Sequence, residues 1–306
     1  MEELTRTRHE QLTGPADKDA VNAFLAKHKP SSADISVGPW IWVRLPRSDD
    51  KHKMADELGE EDHAYVKVTA EGQPLIDALM ERLDEIKATA PARANKARGL
   101  RSQKDLREEA HANFKAEIKE LAQKHKVLDG KWLFYLSPEN VDFVWSKIVH
   151  AVVDKDGPLA KTGTVHCAKV ATTPLGGDGD RGSTHVICVY CDDSFDEEAV
   201  GNVFKVLVKD LGQVSQSYKP DVLTVLGIDS KHASGHPVSL YKRTTFMTKD
   251  DVDAAVEARA NKADAKVKTA KVKTLEDEQA SGAADGFDPV SESEDDKPRK
   301  KARKRE

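Results

Sequence analysis

One stretch, from His125 to Ile228, constrains the fold of this chain more than any other. It opens with Gly130-Lys131-Trp132-Leu133-Phe134-Tyr135-Leu136, whose aromatic and aliphatic content predicts a strand over Lys131 to Leu136. Ser137-Pro138 then marks a helix start, because serine caps and proline tolerates the first helical position. Val141, Val144, Trp145, Ile148, Val149 and Val152 follow at the spacing of one helix face. Two more strands are expected at Thr164 to Ala171 and Thr184 to Cys191. A second amphipathic helix is expected from Asp196 to Leu211, with Val200, Val203, Phe204, Leu207 and Leu211 inward and Gly212 as its stop. Strand, helix, strand, strand, helix is an α+β order. It narrows the fold much more than the function, since no motif here specifies a reaction.

The flanks extend that pattern. A helix is expected over Asp19 to Lys29, a strand over Gly38 to Leu45 and a charged loop over Pro46 to Glu61. His63-Ala64-Tyr65-Val66-Lys67-Val68 alternates and predicts a half-buried strand. Gly72 to Ala88 predicts a helix with Leu75, Ile76, Leu79, Leu83 and Ile86 on one face. After a basic linker, Ser102 and Asp105 form a capping box for a helix with a narrow stripe of Leu106, Ala110, Phe114, Ile118 and Leu121. Its charged opposite face predicts a surface position. Strands around Val222 to Ile228 and Val238 to Phe246 are expected to close the core. The alternation at Lys67 and Lys169 predicts an antiparallel sheet with helices packed on one face. The expected layout is a disordered N-terminus (1–18), an α+β domain (19–249) with a helical insertion at about 88–125, and a charged tail (250–306), helical to about Thr274 and disordered beyond.

Composition supports a chain only partly packed: 38% of its 306 residues are apolar and 33% charged. Three cysteines are too few for a disulfide framework and suit a reducing compartment. No apolar run is long enough to cross a bilayer, and Met1-Glu2-Glu3-Leu4 is not a signal peptide. The expectation is a soluble nuclear or cytoplasmic protein without membrane contact.

Four groups of residues carry a family resemblance: His125-Lys126-Val127-Leu128-Asp129-Gly130-Lys131-Trp132-Leu133, Ala151-Val152-Val153, Val186-Ile187-Cys188-Val189-Tyr190, and Tyr218-Lys219-Pro220-Asp221-Val222 with Leu226-Gly227-Ile228. In these the chain resembles the uncharacterised basophilic-leukaemia-expressed (Bles) proteins, from about Trp40 to Phe246. That resemblance implies a fold like the cap-binding translation initiation factor 4E, a curved antiparallel sheet backed by helices. Cap binding in those proteins uses a Trp-Glu pair just ahead of the Gly-basic-Trp strand. Here that place reads Lys124-His125-Lys126-Val127-Leu128-Asp129, and Trp40 and Trp42 fall inside the first strand. The resemblance therefore implies the fold without the cap-reading pair, with a phosphate site left at Lys169 or Arg181.

Candidate chemistry is sparse. Cys188-Val189-Tyr190-Cys191 lies in an apolar strand, where residues three apart face opposite ways, so ordinary buried cysteine outweighs metal or redox function. His232 and His236 are expected exposed in a loop. The loop Gly176 to Gly182 lacks the lysine of a phosphate-binding P-loop. Asp192-Asp193 and Asp196-Glu197-Glu198 fit helix capping better than catalysis. Tyr218-Lys219-Pro220-Asp221, beside Lys131 and Lys169, is the best candidate for a ligand-contacting edge, weighed evenly against a plain turn. Trp132 and Trp145 are expected in the core. No cofactor or metal is expected.

The tail carries the clearest address. Lys297, Arg299, Lys300, Lys301, Arg303, Lys304 and Arg305 form a nuclear-localisation-type cluster, with an import receptor as the expected partner. Ser291 and Ser293, each followed by acids, are phosphorylation candidates whose charge would mask it. These features predict a non-enzymatic binding module contacting RNA or nucleotide phosphates through Lys131, Lys169, Arg181, Tyr218 and Lys219. The alternatives are a nuclear protein-interaction adaptor and, least favoured, an unrecognised enzyme at the Asp192-Asp193 edge.

Overall fold

Among the described residues, six strands form one open, mixed sheet in the order β1-β2-β4-β5-β3-β6. They are β1 (Glu10–Thr13), β2 (Trp40–Arg44), β3 (Gly130–Leu136), β4 (Val165–Ala171), β5 (His185–Cys191) and β6 (Ser217–Pro220). The computed structural model describes residues 10–33, 38–46, 60–172 and 184–262. The architecture is α+β, and every pairing is antiparallel except β1 with β2. That exception corrects the all-antiparallel expectation. Residues 10–13, placed by composition in a disordered N-terminus, instead add a strand whose crossover to β2 is helix α1 (Lys18–Lys27). Parallel neighbours need such a crossover.

The sheet's first face is apolar and buried. Ile41, Val43, Trp132, Phe134, Ala168, Val170, Ile187, Val189, Cys191 and Tyr218 point into one core with Val21 of α1 and the apolar faces of α4 (Pro138–Val153) and α5 (Glu197–Lys209). The predicted stripe of α4 is buried throughout, and Asp196 caps α5 by accepting from the Ala199 amide. Trp132 and Trp145 are both fully buried, as expected. The Trp132 indole N–H donates to the Val200 carbonyl at 3.3 Å. Gly130 admits the Tyr218 ring: a Cβ there would collide with the Tyr218 hydroxyl and Ser194 Oγ.

A second core joins α2 (Glu60–Thr89), α3 (Gln103–His125) and α6 (Asp221–Val225). The capping box of Ser102 and Asp105 is formed in both directions. Phe114, Ile118 and Leu121 are buried, so α3 is held by its narrow stripe with the charged face outward. The strand expected at His63 to Val68 is the start of α2. Ala64, Tyr65 and Val68 enter the helical core, while Val66 is 66% exposed. Six alternating residues were outweighed by the 3.6-residue period that continues through Ile76 and Leu79. The helical unit expected at about 88–125 accordingly begins at Glu60.

Two further strand expectations fail. Val222 lies in helix α6, because Pro220 ends β6 and Asp221 opens a helical turn. Residues 238–246 form a loop with one bridge, Tyr218 to Tyr241, and the short helix α7 (Arg243–Phe246). A closing helix, α8, begins at residue 249 and sends Val252, Ala255 and Val256 to the first core, so the ordered domain continues past 249. The strings beyond residue 262 lie outside the described residues. Among the described residues no helix is long and apolar enough to cross a membrane.

His236 corrects the expectation of two exposed histidines. It is buried against α3, with its ring edge-on to Phe114 and its Nδ1 3.2 Å from His111 Nδ1. Burial pushes its pKa down to about 4, and His111, Lys115 and His232 push the same way. A folded-state pKa below the ordinary ~6.5 means the unfolded chain binds the proton more readily. Stability from this contact is whole above pH ~6.5 and is lost as pH falls toward 4. Urea unfolding at pH 7 and pH 4.5 should show a smaller loss in His236→Leu than in the native chain. A second outcome follows from Gly130: Gly130→Ala should cost about 1–3 kcal/mol by urea unfolding, because a methyl is forced into a filled site.

Candidate functional site

The sheet's other face assembles the polar chemistry, and strand register alone decides its membership. Arg44 pairs with Cys167, Cys167 with Tyr190, Tyr190 with Lys131, and Lys131 with Lys219. The next row on the same face runs Trp42, Lys169, Cys188, Leu133 and Ser217. Trp40, two residues from Trp42, shares the face because strand side chains alternate. Leu133, Cys167, Val186, Cys188 and Tyr190 form its apolar floor, with Trp40 and Trp42 half-buried against it.

Lys169 sits among aromatic rings. Its Nζ lies 4.1 Å from the Trp40 ring centroid, 4.7 Å from Trp42 and 5.6 Å from Tyr190. Trp42 stacks on Tyr190 at 6.0 Å between centroids, and the Arg44 guanidinium lies 4.7 Å from the Trp42 ring centroid. Ring faces attract cations through their quadrupoles, which compensates part of the ammonium's lost hydration. Burial still dominates and lowers the Lys169 pKa, with the Lys131 charge adding to that effect. Lys219, half-buried on the same face, is lowered for the same two reasons.

Lys131 is held differently. It is buried, its ammonium donates to the Asp221 carboxylate at the start of α6, and its Nζ lies 5.2 Å from the Tyr190 ring centroid. Burial raises the Asp221 pKa, and the Lys131 charge opposes that rise. This pair ties α6 to β3, so Lys131 serves packing before it serves any ligand.

Tyr218 is not at the edge where the sequence suggested contact. It is fully buried on the first face, edge-on to Trp132 at 5.1 Å, and its hydroxyl donates to Ser194 Oγ. Alternation sends Tyr218 to the core while its neighbour Lys219 faces the other way. Arg181, Ser291, Ser293 and the basic cluster of Lys297, Arg299, Lys300, Lys301, Arg303, Lys304 and Arg305 lie outside the described residues. Of the five proposed contacts, the structure brings Lys131, Lys169 and Lys219 to one face. It adds Trp40, Trp42, Arg44 and Tyr190, whose sequence signal was only the aromatic pair two residues apart.

The family model for basophilic leukemia-expressed protein Bles03 matches residues 3–227. The chain belongs to that family. All six strands fall within the matched residues, so the Bles03 match spans both sheet faces.

The cysteine pair and Asp193 are placed by packing and turn geometry. Cys188 lies on the second face and Cys191 in the first core. Burial pushes the Cys188 thiol up to about 11 and the Cys191 thiol higher still. Both are protonated and separated by the sheet, which does not suit a metal or redox pair. Asp193 accepts from the Phe195 amide at 2.8 Å, shaping the turn before the Asp196 cap.

The buried pair makes a prediction. Asp221→Ala strands the Lys131 ammonium, and urea unfolding should show a loss of about 3–5 kcal/mol. The double variant Lys131→Met with Asp221→Leu should recover most of it, because no buried charge is left.

Proposed function

We propose that this protein is a non-enzymatic binding module whose second sheet face contacts RNA or nucleotide phosphates, on a fold like that of cap-binding initiation factor 4E. One observation carries the reading: cations and aromatic rings share that face, with the Lys169 ammonium 4.1 Å from Trp40 and 4.7 Å from Trp42. Single-stranded nucleic acid is bound by this combination, rings taking base faces and cations taking phosphates. The fold assignment is supported by the strand-helix-hairpin order of β3, α4, β4 and β5 and by the helices α1, α4 and α5 on one face only of those strands. The cap-reading Trp-Glu pair is missing from residues 124–129, so the proposed ligand is not selected by its cap. The basic cluster at the chain end supports a nuclear address through an import receptor.

Lys169, Lys219 and Arg44 are the proposed phosphate contacts. A partly buried lysine with a lowered pKa gains most when an anion arrives, because the anion restores the charge that burial disfavours. Binding should therefore weaken as pH rises toward the ordinary lysine value of ~10.4.

Tryptophan fluorescence of the full chain tests this directly. Trp132 and Trp145 are fully buried, so changes on titration report Trp40 and Trp42. Titration with uncapped RNA, capped RNA and nucleotides at two salt concentrations should give quenching equal for capped and uncapped RNA and weaker at high salt. Lys169→Gln should reduce the salt slope by about 1. RNA binding without quenching would place the contact on the tail and overturn the reading. Absence of all binding would favour the alternative, a protein-interaction adaptor using the charged outer face of α3.

A further inference from the structure

We propose that Asp129, His166 and Asp192 form a binding site for one divalent transition-metal ion, Zn2+ or Mn2+. One ligand atom from each of the three lies within 4.8 Å of those of the other two. His166 Nδ1 is 2.8 Å from the Asp192 carboxylate. Nothing in the local sequence joins these residues; three strands bring them together.

Their placement follows from register. Gly130 of β3 pairs with Cys191 of β5, so Asp129 before the one and Asp192 after the other face each other at the same sheet end. On β4 the register against β5 shifts between Val165 and Cys167, and His166 occupies that irregularity. A bulge of this kind re-aims a side chain. The backbone at all three positions is fixed: the Asp192 amide donates to the Thr164 carbonyl, the Asp221 amide to the Asp129 carbonyl, and the Leu45 amide to the His166 carbonyl, at 2.7–3.1 Å. His166 is carried on β4, and Asp129 and Asp192 each sit one residue beyond a strand end, so the sheet limits how far the three can move apart.

Charge points to a dication. Two carboxylates this close repel, and a dication held between them would offset both charges. Each of the three residues makes a further contact, and the ion needs only one ligand atom from each. One imidazole with two carboxylates is a mixed set that suits Zn2+ or Mn2+ better than the all-oxygen preference of Ca2+ and Mg2+. The nearby Cys167 and Cys191 are buried in the floor and core, so thiolates are not part of the set. Three protein ligands leave a coordination position for water or an anion. The His166 ring lies 6.0 Å from the Tyr190 ring, which places this site beside the cationic face without sharing its residues.

Calorimetric titration of the chelator-stripped full chain with ZnCl2, MnCl2 and CaCl2 tests the site. The expected result is one ion of Zn2+ or Mn2+ per chain, at least tenfold tighter than Ca2+. Binding should weaken about 10-fold or more in His166→Gln and in Asp192→Asn. The Asp192 side chain is 45% exposed, so Asp192→Asn keeps the fold and decides the matter if His166→Gln does not fold. No binding by the native chain overturns the proposal. Unchanged affinity in Asp192→Asn also overturns it, and would place the ion elsewhere, for instance at His111 and His236.

Discussion

Burying positive charge on the second face of the sheet is the constraint around which the rest of this molecule is arranged. Two neighbouring strand rows each bring a lysine onto an apolar floor. A lone ammonium there would lose its hydration at a cost of several kcal/mol. The chain meets that cost in two ways. Lys131 is neutralised by Asp221, which requires α6 to start immediately after β6. Lys169 has ring faces in place of a carboxylate, which requires Trp40, Trp42 and Tyr190 to converge from two other strands. The first solution pairs the charge with a carboxylate, and the second sets it against ring faces.

The first face explains why this arrangement is stable. Trp132, Trp145, Phe204 and Tyr218 fill a core without charge, and α4 and α5 bury their stripes against it. The strands are thereby fixed in register, and register decides which side chains share the second face. The α2–α3 pair packs with α6 in the second core. Its close approach at α6 depends on Gly72, where a Cβ would strike the Leu226 side chain. The match to the Bles03 family covers these elements through Leu226.

Local signals made much of this legible. The Ser137-Pro138 start, the stripe of α4, the capping box at Ser102 and the hairpin strands β4 and β5 each rest on residues close in sequence, and each is present. The failures have a common cause. At His63 to Val68 a short alternation competed with a longer helical period, and the α3 partner that decides between them is distant in sequence. His236 looked solvent-exposed because its neighbours Gly235 and Pro237 mark a loop, yet Phe114 and His111 on α3 bury it. Tyr218 and Lys219 were grouped as one edge, although adjacent strand residues face opposite sides. The cluster of Asp129, His166 and Asp192 was invisible for the same reason that Trp40 and Lys169 were not paired in advance: both depend on cross-strand register, which one sequence does not print.

The central claim is that the second sheet face, and not the chain end, meets the ligand. Lysine-reactive footprinting of the full chain, with and without saturating single-stranded RNA and read by mass spectrometry, tests it most directly. The account predicts that Lys169 and Lys219 become protected, while Lys131 stays unreactive in both states because it is buried against Asp221. Protection confined to Lys297, Lys300, Lys301 and Lys304, with Lys169 labelled equally in both states, would contradict it.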